Sequence, residues 1–217
     1  MTNTTTKTIT GLHYATNKPI KISWENSTIS QVETLEDINR DLPTIAPGFV
    51  DLQINGYKGV DFNYKPITEE EWAIIIKALA ENGVTHFLPT LITNSIEQLA
   101  ENFRAAETTL GKLPDHASFV EGYHLEGPYL SKEDGPRGAH DLQFVKAPDW
   151  DEFQRLQEAA NGRIKLLTLS PEWEQSENFI EKVVQSGVKV AIGHTAANSS
   201  QIERAVHAGA SLSTHLG

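Results

Sequence analysis

The sequence predicts an α/β protein of the (β/α)-barrel kind, and three observations carry that prediction. From Pro47 onward, short apolar runs alternate with longer amphipathic stretches. The runs are apolar at successive positions, as strands of a parallel sheet covered by helices on both faces are. Polar and ionisable residues gather where the runs end, the face that carries chemistry in such barrels. A doubly wound sheet would share the first two features; the third favours the barrel.

Each element has its own signal. Residues 1–45 read as β-rich, with the alternating runs KTITGLHY, PIKISWEN and TISQVETL separated by turn-forming Asn, Lys and Pro, and form a domain of their own. The barrel region is residues 46–217, with strands expected at 49–54, 84–88, 119–125, 165–169, 188–192 and 210–215. Thr68 with Glu71 makes a capping box ahead of Trp72, Ile75, Ile76 and Leu79, and Gly83 stops that helix. Ser95 with Gln98 and Asp149 with Glu152 open the next two, and residues 177–186 and 199–208 supply two more. That makes six strands, where a (β/α)8 barrel has eight in about 250 residues. The chain stops at Gly217, directly after the sixth, so an incomplete barrel is expected.

Composition narrows the function classes. Eighteen Lys+Arg against 29 Asp+Glu leave a net charge of −11 over 217 residues. That balance argues against nucleic acid and anionic membrane as partners, which need a basic footprint. The chain has no cysteine, which removes disulfides, thiol catalysis and Cys-bearing metal sites and fits a cytoplasmic protein. Neither a signal peptide nor an apolar run of membrane-spanning length is present in the sequence.

The strand-end residues are Gln53, Asn55, His86, His124, Glu126, His194 and His215. One at a time, such histidines are commonly hydrogen-bonded structural residues, and a Glu before Gly-Pro can simply cap a loop. Together, one Glu and two His from strands three, five and six converge on one barrel mouth. Three protein ligands with a fourth position open is what a catalytic zinc requires. His124 is expected to point away from Glu126, His86 to serve packing at the end of strand two, and Trp72 and Trp150 to lie in the core.

The stretches APGFVDLQINGYKGVDFN (46–63), GYHLEGPYLS (122–131), GAH (138–140), AIGHTAA (191–197) and STHLG (213–217) resemble the N-acetylglucosamine-6-phosphate deacetylase family of the amidohydrolase superfamily. HLEGP and GHT are specific to that family, whereas PGFVD alone fits many amidohydrolases. The resemblance implies a metal-dependent (β/α)8 barrel beside a small β-sandwich domain to which both chain ends contribute. It places the metal ligands on Glu126, His194 and His215, and the substrate-contacting histidine on His140. One divalent ion is implied, Zn2+ first, with Fe2+, Co2+ or Mn2+ as substitutes. Many amidohydrolases hold a second metal with a His-x-His pair. Here that pair is Gln53-x-Asn55, and amides are poor ligands beside imidazole, so a full second site is not expected.

The implied activity removes the acetyl group from N-acetylglucosamine 6-phosphate, giving glucosamine 6-phosphate and acetate. The implied partners are a small amino-sugar phosphate and, in the complete protein, a second copy. Arg137 is a residue type that grips phosphate bidentately. The family, however, takes most phosphate contacts from positions beyond residue 217. The family's catalytic aspartate falls there too, so the 217-residue chain alone is expected to be inactive. Gly217 also stands where the family usually has an aromatic residue followed by Asn-Ala, a departure that points to different sugar contacts. The alternatives are an amidohydrolase acting on another N-acyl sugar or a cyclic amide, and a truncated, non-catalytic metal-binding protein.

Overall fold

The structure, a computed structural model, describes residues 6–36 and 41–216. It divides into two compact units, Met1–Gly48 and Phe49–Gly217. In the first, β1 (Lys7–His13), β2 (Pro19–Glu25), β3 (Thr28–Thr34) and β4 (Thr44–Ile45) form one sheet in the order β3-β2-β1-β4. β1–β2 and β2–β3 pair antiparallel, whereas β4 joins β1 in parallel.

The second unit repeats strand and helix. It runs β5 (Phe49–Ile54), a small hairpin of β6 (Gly56–Tyr57) and β7 (Val60–Asp61), α1 (Glu69–Ala80), β8 (Val84–Ile92), α2 (Ile96–Leu110) and α3 (Pro114–Ala117). There follow β9 (Tyr123–Glu126), α4 (Asp134–Arg137), α5 (Trp150–Ala159) and β10 (Ile164–Leu169). The chain continues through α6 (Ser176–Gln185), β11 (Lys189–Ile192), α7 (Ser199–His207) and β12 (Leu212–Ser213). The six strands lie in the order β12-β11-β10-β9-β8-β5, every neighbouring pair parallel. A sheet that advances in one direction with chain order is barrel wall. A doubly wound sheet reverses its order at a switch point, and none occurs here.

Helix starts follow the sequence signals. Thr68 Oγ1 accepts the Glu71 N–H at 3.2 Å, and Glu71 Oε2 accepts the Thr68 N–H at 3.0 Å, closing the capping box. Ser95 Oγ and Asp149 Oδ1 cap α2 and α5 in the same way, from Gln98 N at 3.2 Å and Glu152 N at 3.0 Å. Asn198 and Gln201 form a second full capping box on α7.

The strands sort their side chains by alternation. Phe87, Leu91, Tyr123, Leu125, Leu167, Leu169 and Val190 belong to the large buried cluster shared with the helices, where Phe103 meets Tyr123 edge-on at 5.2 Å. Leu88, Leu166 and Ala191 form a smaller cluster on the opposite, barrel-lining face. The buried polar residues Thr90, His124, Glu126 and Thr168 continue that face toward the mouth. The outer strand β5 leaves Phe49, Val50 and Leu52 exposed, and Leu212 is exposed on β12.

Strand ends differ from expectation in two places. β8 runs four residues past Leu88 to Ile92. Pro89 has no N–H for the ladder, and the β5–β8 register is irregular there; Thr90 Oγ1 instead accepts the Ile54 N–H at 3.0 Å. The extension puts His86 near the start of the strand, exposed and beside Thr85 Oγ1 at 3.1 Å, away from the chemical face. β9 begins only at Tyr123, with Phe87 and Val120 joined upstream by a single bridge.

Thr68→Ala should lower stability by about 1 kcal/mol, the cost of a lost N-cap. Urea denaturation would show an earlier midpoint with the same slope; an unchanged midpoint would mean the capping box is not contributing.

Candidate metal centre

The site is built around a carboxylate that the sheet carries inward. Glu126 ends β9 and is only 1% exposed. Its Oε1 lies 3.1 Å from His194 Nε2, just beyond β11, and 3.1 Å from His215 Nε2, just beyond β12. Its Oε2 accepts Gln53 Nε2 of β5 at 3.0 Å, and the same amide is 3.5 Å from His215 Nε2. His140, from the loop after β9, places its Nε2 3.3 Å from His194 Nε2. The ligand atoms of Glu126, His140 and His194 all lie within 4.8 Å of one another.

Gln53, Glu126, His140, His194 and His215 thus meet in one place. Asn55 does not join them; it is exposed, and its carbonyl accepts the Phe62 N–H at 3.2 Å. Arg137 is occupied within its own loop: Nη1 donates to the His140 carbonyl at 2.7 Å, and Nη2 pairs with Asp134. It braces the His140 segment.

His124 corrects the expectation that it points away. Residues two apart on a strand share a face, so His124 lies on the barrel-lining side with Glu126, one layer deeper. It is 1% exposed, and its Nε2 meets Thr168 Oγ1 at 2.7 Å, which in turn meets Thr214 Oγ1 at 2.7 Å. This chain of polar groups ends one residue before His215.

Two histidines are held in the left-handed region, His194 at φ 50° and His215 at φ 56°. Such conformations cost a side-chain-bearing residue on the order of 1–3 kcal/mol and persist where surrounding contacts over-determine them. Gly193 makes the turn before His194 feasible. A Cβ there would stand 2.8 Å from Thr214 Cβ and 2.9 Å from Thr168 Cγ2.

Electrostatics follows from these contacts. His194 Nδ1 faces the Pro136 carbonyl at 3.2 Å, so Nδ1 carries the proton and Nε2 presents its other face to Glu126. The hydrogen bond to Glu126 raises the His194 pKa against the opposing effect of burial. Burial pushes the Glu126 pKa up, but the His194 hydrogen bond and the neighbouring imidazoles outweigh it and leave it lowered. Burial brings His140 to about 4, with the His194 charge acting in the same direction, and burial likewise brings His124 to about 4. Both are therefore neutral near pH 7.

The donor set fits a cation. Donors held about 2.0–2.2 Å from one tetrahedral ion stand roughly 3.3–3.5 Å apart. The 3.1–3.3 Å separations among Glu126, His194, His215 and His140 are close to that.

No family model matches the chain. The N-acetylglucosamine-6-phosphate deacetylase of Bos taurus is 35% identical over 175 residues, covering 79% of this chain and 42% of the relative. The N-acetylgalactosamine-6-phosphate deacetylase of Shewanella sp. (strain ANA-3) is 34% identical over 176 residues, covering 80% and 42%. Among solved structures, an Asp→Ala mutant of the Mycobacterium smegmatis N-acetyl-D-glucosamine-6-phosphate deacetylase, in complex with N-acetyl-D-glucosamine-6-phosphate, superposes with a TM-score of 0.77 at 28% identity, over 91% of this chain and 51% of that one. The chain is a relative of the N-acetylglucosamine-6-phosphate deacetylases. It spans about half the length of these deacetylases. Its six parallel strands correspond to part of the deacetylase (β/α)8 barrel.

Reasoning on the sequence overlooks Glu172, Ser131, Thr93 and Thr195 around this centre. Glu172 had a usable signal: it lies three residues beyond the end of β10, on the face where the other candidates gather.

The opposite shifts of Glu126 and His194 fix the pH response of the metal-free protein. The lowered Glu126 pKa contributes stability above the carboxylate's unfolded value, which is lost as pH falls through the folded one. The raised His194 pKa contributes stability below about 6.5, which is lost as pH rises through its folded value. The pair should therefore stabilise most between about pH 4.5 and 6.5. Thermal unfolding of the metal-free protein against pH, compared with Glu126→Gln, tests this; parallel profiles would refute it.

Proposed function

We propose that this chain forms the metal-holding part of an N-acetyl-amino-sugar-6-phosphate deacetylase acting on N-acetylglucosamine 6-phosphate to give glucosamine 6-phosphate and acetate. The observation that carries the reading is the convergence of Glu126, His194 and His215 on one point, together with relatives that bear this activity in their names. In this reading residues 1–45 belong to a β-sandwich domain and residues 46–217 to the barrel. The protein works in the cytoplasm as a homodimer, and nucleic acid and membrane are not its partners. Among the described residues, no helix is long and apolar enough to cross a membrane.

Glu126, His194 and His215 would hold one divalent ion, Zn2+ by preference for carboxylate and imidazole, with Fe2+, Co2+ or Mn2+ as substitutes. When bound, the ion supplies Lewis acidity toward the acetyl carbonyl and water. This chain's own residues arrange that centre. Gln53 holds Oε2 of Glu126, leaving Oε1 toward the histidines. The Pro136 carbonyl fixes the His194 tautomer, so that Nε2 offers its lone pair once its extra proton has left. His140, neutral and braced by Thr93 Oγ1 at 2.9 Å and by Arg137, contacts the substrate beside the ligands. Proton transfer falls to the family aspartate beyond residue 217.

The Shewanella relative favours one second reading, the C4-epimeric N-acetylgalactosamine 6-phosphate, because its identity to this chain is nearly the same. The test is made on the full-length protein. Elemental analysis after dialysis should find about one metal per chain, and Glu126→Ala or His194→Ala should remove most of it and reduce deacetylation by at least about a hundredfold. Gln53→Ala should retain the metal. Rates on the two epimers and on unphosphorylated N-acetylglucosamine assign the substrate. Full metal content in Glu126→Ala would overturn the ligand set, and no turnover of any N-acetyl sugar would overturn the activity.

A further inference from the structure

We propose that Glu172 is a positioning residue that locks the His194 loop into its ligand-presenting geometry. The proposal rests on the reading of His194 as a metal ligand. Glu172 follows β10, and its carboxylate reaches across to the loop after β11. Oε2 accepts the Ala196 N–H at 2.8 Å and the Ser170 hydroxyl at 2.8 Å, with Thr195 Oγ1 at 3.4 Å. Oε1 accepts the Ser131 hydroxyl at 2.9 Å. Ser131 closes the circuit: its backbone N–H donates to the His194 carbonyl at 2.9 Å. The carboxylate therefore fixes the two residues after His194 directly and its carbonyl through one intermediary.

This clasp answers a specific need. His194 sits at φ 50°, a conformation an isolated chain would leave, and its imidazole must point at Glu126 from there. On one side, Gly193 packs against Thr168 and Thr214. On the other, the described residues supply the Glu172 carboxylate, with Ser170 and Thr195 joined hydroxyl to hydroxyl at 2.8 Å. Thr195 also accepts the Ala197 N–H at 3.0 Å, extending the clasp toward α7. A carboxylate suits this place because every group facing it is a donor, and an ionised acceptor strengthens each bond. Glu172 touches neither Glu126 nor the other candidate ligands in the hydrogen bonds described, so its influence passes through the backbone of residues 194–196.

The test uses the full-length protein loaded with zinc. Zinc affinity is measured by competition with a chelator, alongside the thermal unfolding of the metal-free form and the zinc dependence of deacetylation. Glu172→Ala should weaken zinc binding about 10–100-fold, the usual effect of removing a group that orients a ligand. Glu172→Gln, which keeps one acceptor oxygen, should fall between it and the parent. Added zinc should restore much of the lost activity, a rescue that general destabilisation would not give. Should Glu172→Ala fail to fold, Thr195→Val and Ser131→Ala each remove one arm of the clasp and should shift zinc affinity in the same direction. Zinc affinity unchanged in folded Glu172 variants, while His194→Ala loses zinc, overturns this proposal alone. Zinc retained by His194→Ala overturns the ligand reading beneath it and this proposal with it.

Discussion

The arrangement depends on one buried carboxylate. Taking Glu126 to 1% exposure inside a barrel wall would cost several kcal/mol if it were left unpaired. The fold answers with donors from three other strands: Gln53 from β5, His194 from beyond β11 and His215 from beyond β12. Those strands are distant in sequence and are brought to one point only because the sheet curves in chain order. The charge therefore couples barrel closure to site assembly. The sheet must be right for the carboxylate to be solvated, and the carboxylate rewards the sheet for being right.

The surrounding layers show how that charge is made affordable. Below Glu126 the barrel lining turns from polar to apolar within two residues, from Thr168 and Ala191 to Leu166. His124 and Thr168 stand at that boundary and hand a hydrogen bond on to Thr214. A neutral His124 adds a polar partner without adding a charge that would compete for Glu126. Outside the wall, Tyr123 and Leu125 of the same strand pack on helices, so β9 is fixed from both faces. A side chain on a strand so held has little freedom to move away from its partners, which is what a metal ligand needs.

Much of this is legible in the sequence, and the reasons separate clearly. Helix starts at Thr68, Ser95 and Asp149 are readable because an N-cap and its partner three residues on are local chemistry. The six strands are readable because their two-sided burial leaves apolar runs. The full extent of β8 is not, because Pro89 looks like a stop and only the Thr90 hydroxyl, acting across to Ile54, repairs the ladder. His124 is misjudged when the two-residue repeat of a strand is applied with the wrong parity. Glu172 escapes notice for a different reason: its partners Ser131, Thr195 and Ala196 come from two other loops, and no local pattern announces such a meeting. Local capping is written in neighbouring residues; clasps between loops are written only in the fold.

The two strained histidines join these threads. His194 and His215 both follow a strand and both adopt positive φ, so each imidazole turns back over the barrel axis instead of continuing outward along its strand. An extended backbone at either position would carry its ring toward the helices. The strain is thus the geometric cost of aiming side chains from two adjacent strands at one carboxylate on a third. His194 has a visible restraint on each side, in Gly193 with its close contacts and in the Glu172 carboxylate. His215 relies on the Thr214–Thr168 hydroxyl pair and its own contact with Glu126, and it is more than half exposed. Of the two, His194 is the preorganised ligand, and His215 is the one whose placement depends most on what covers β12.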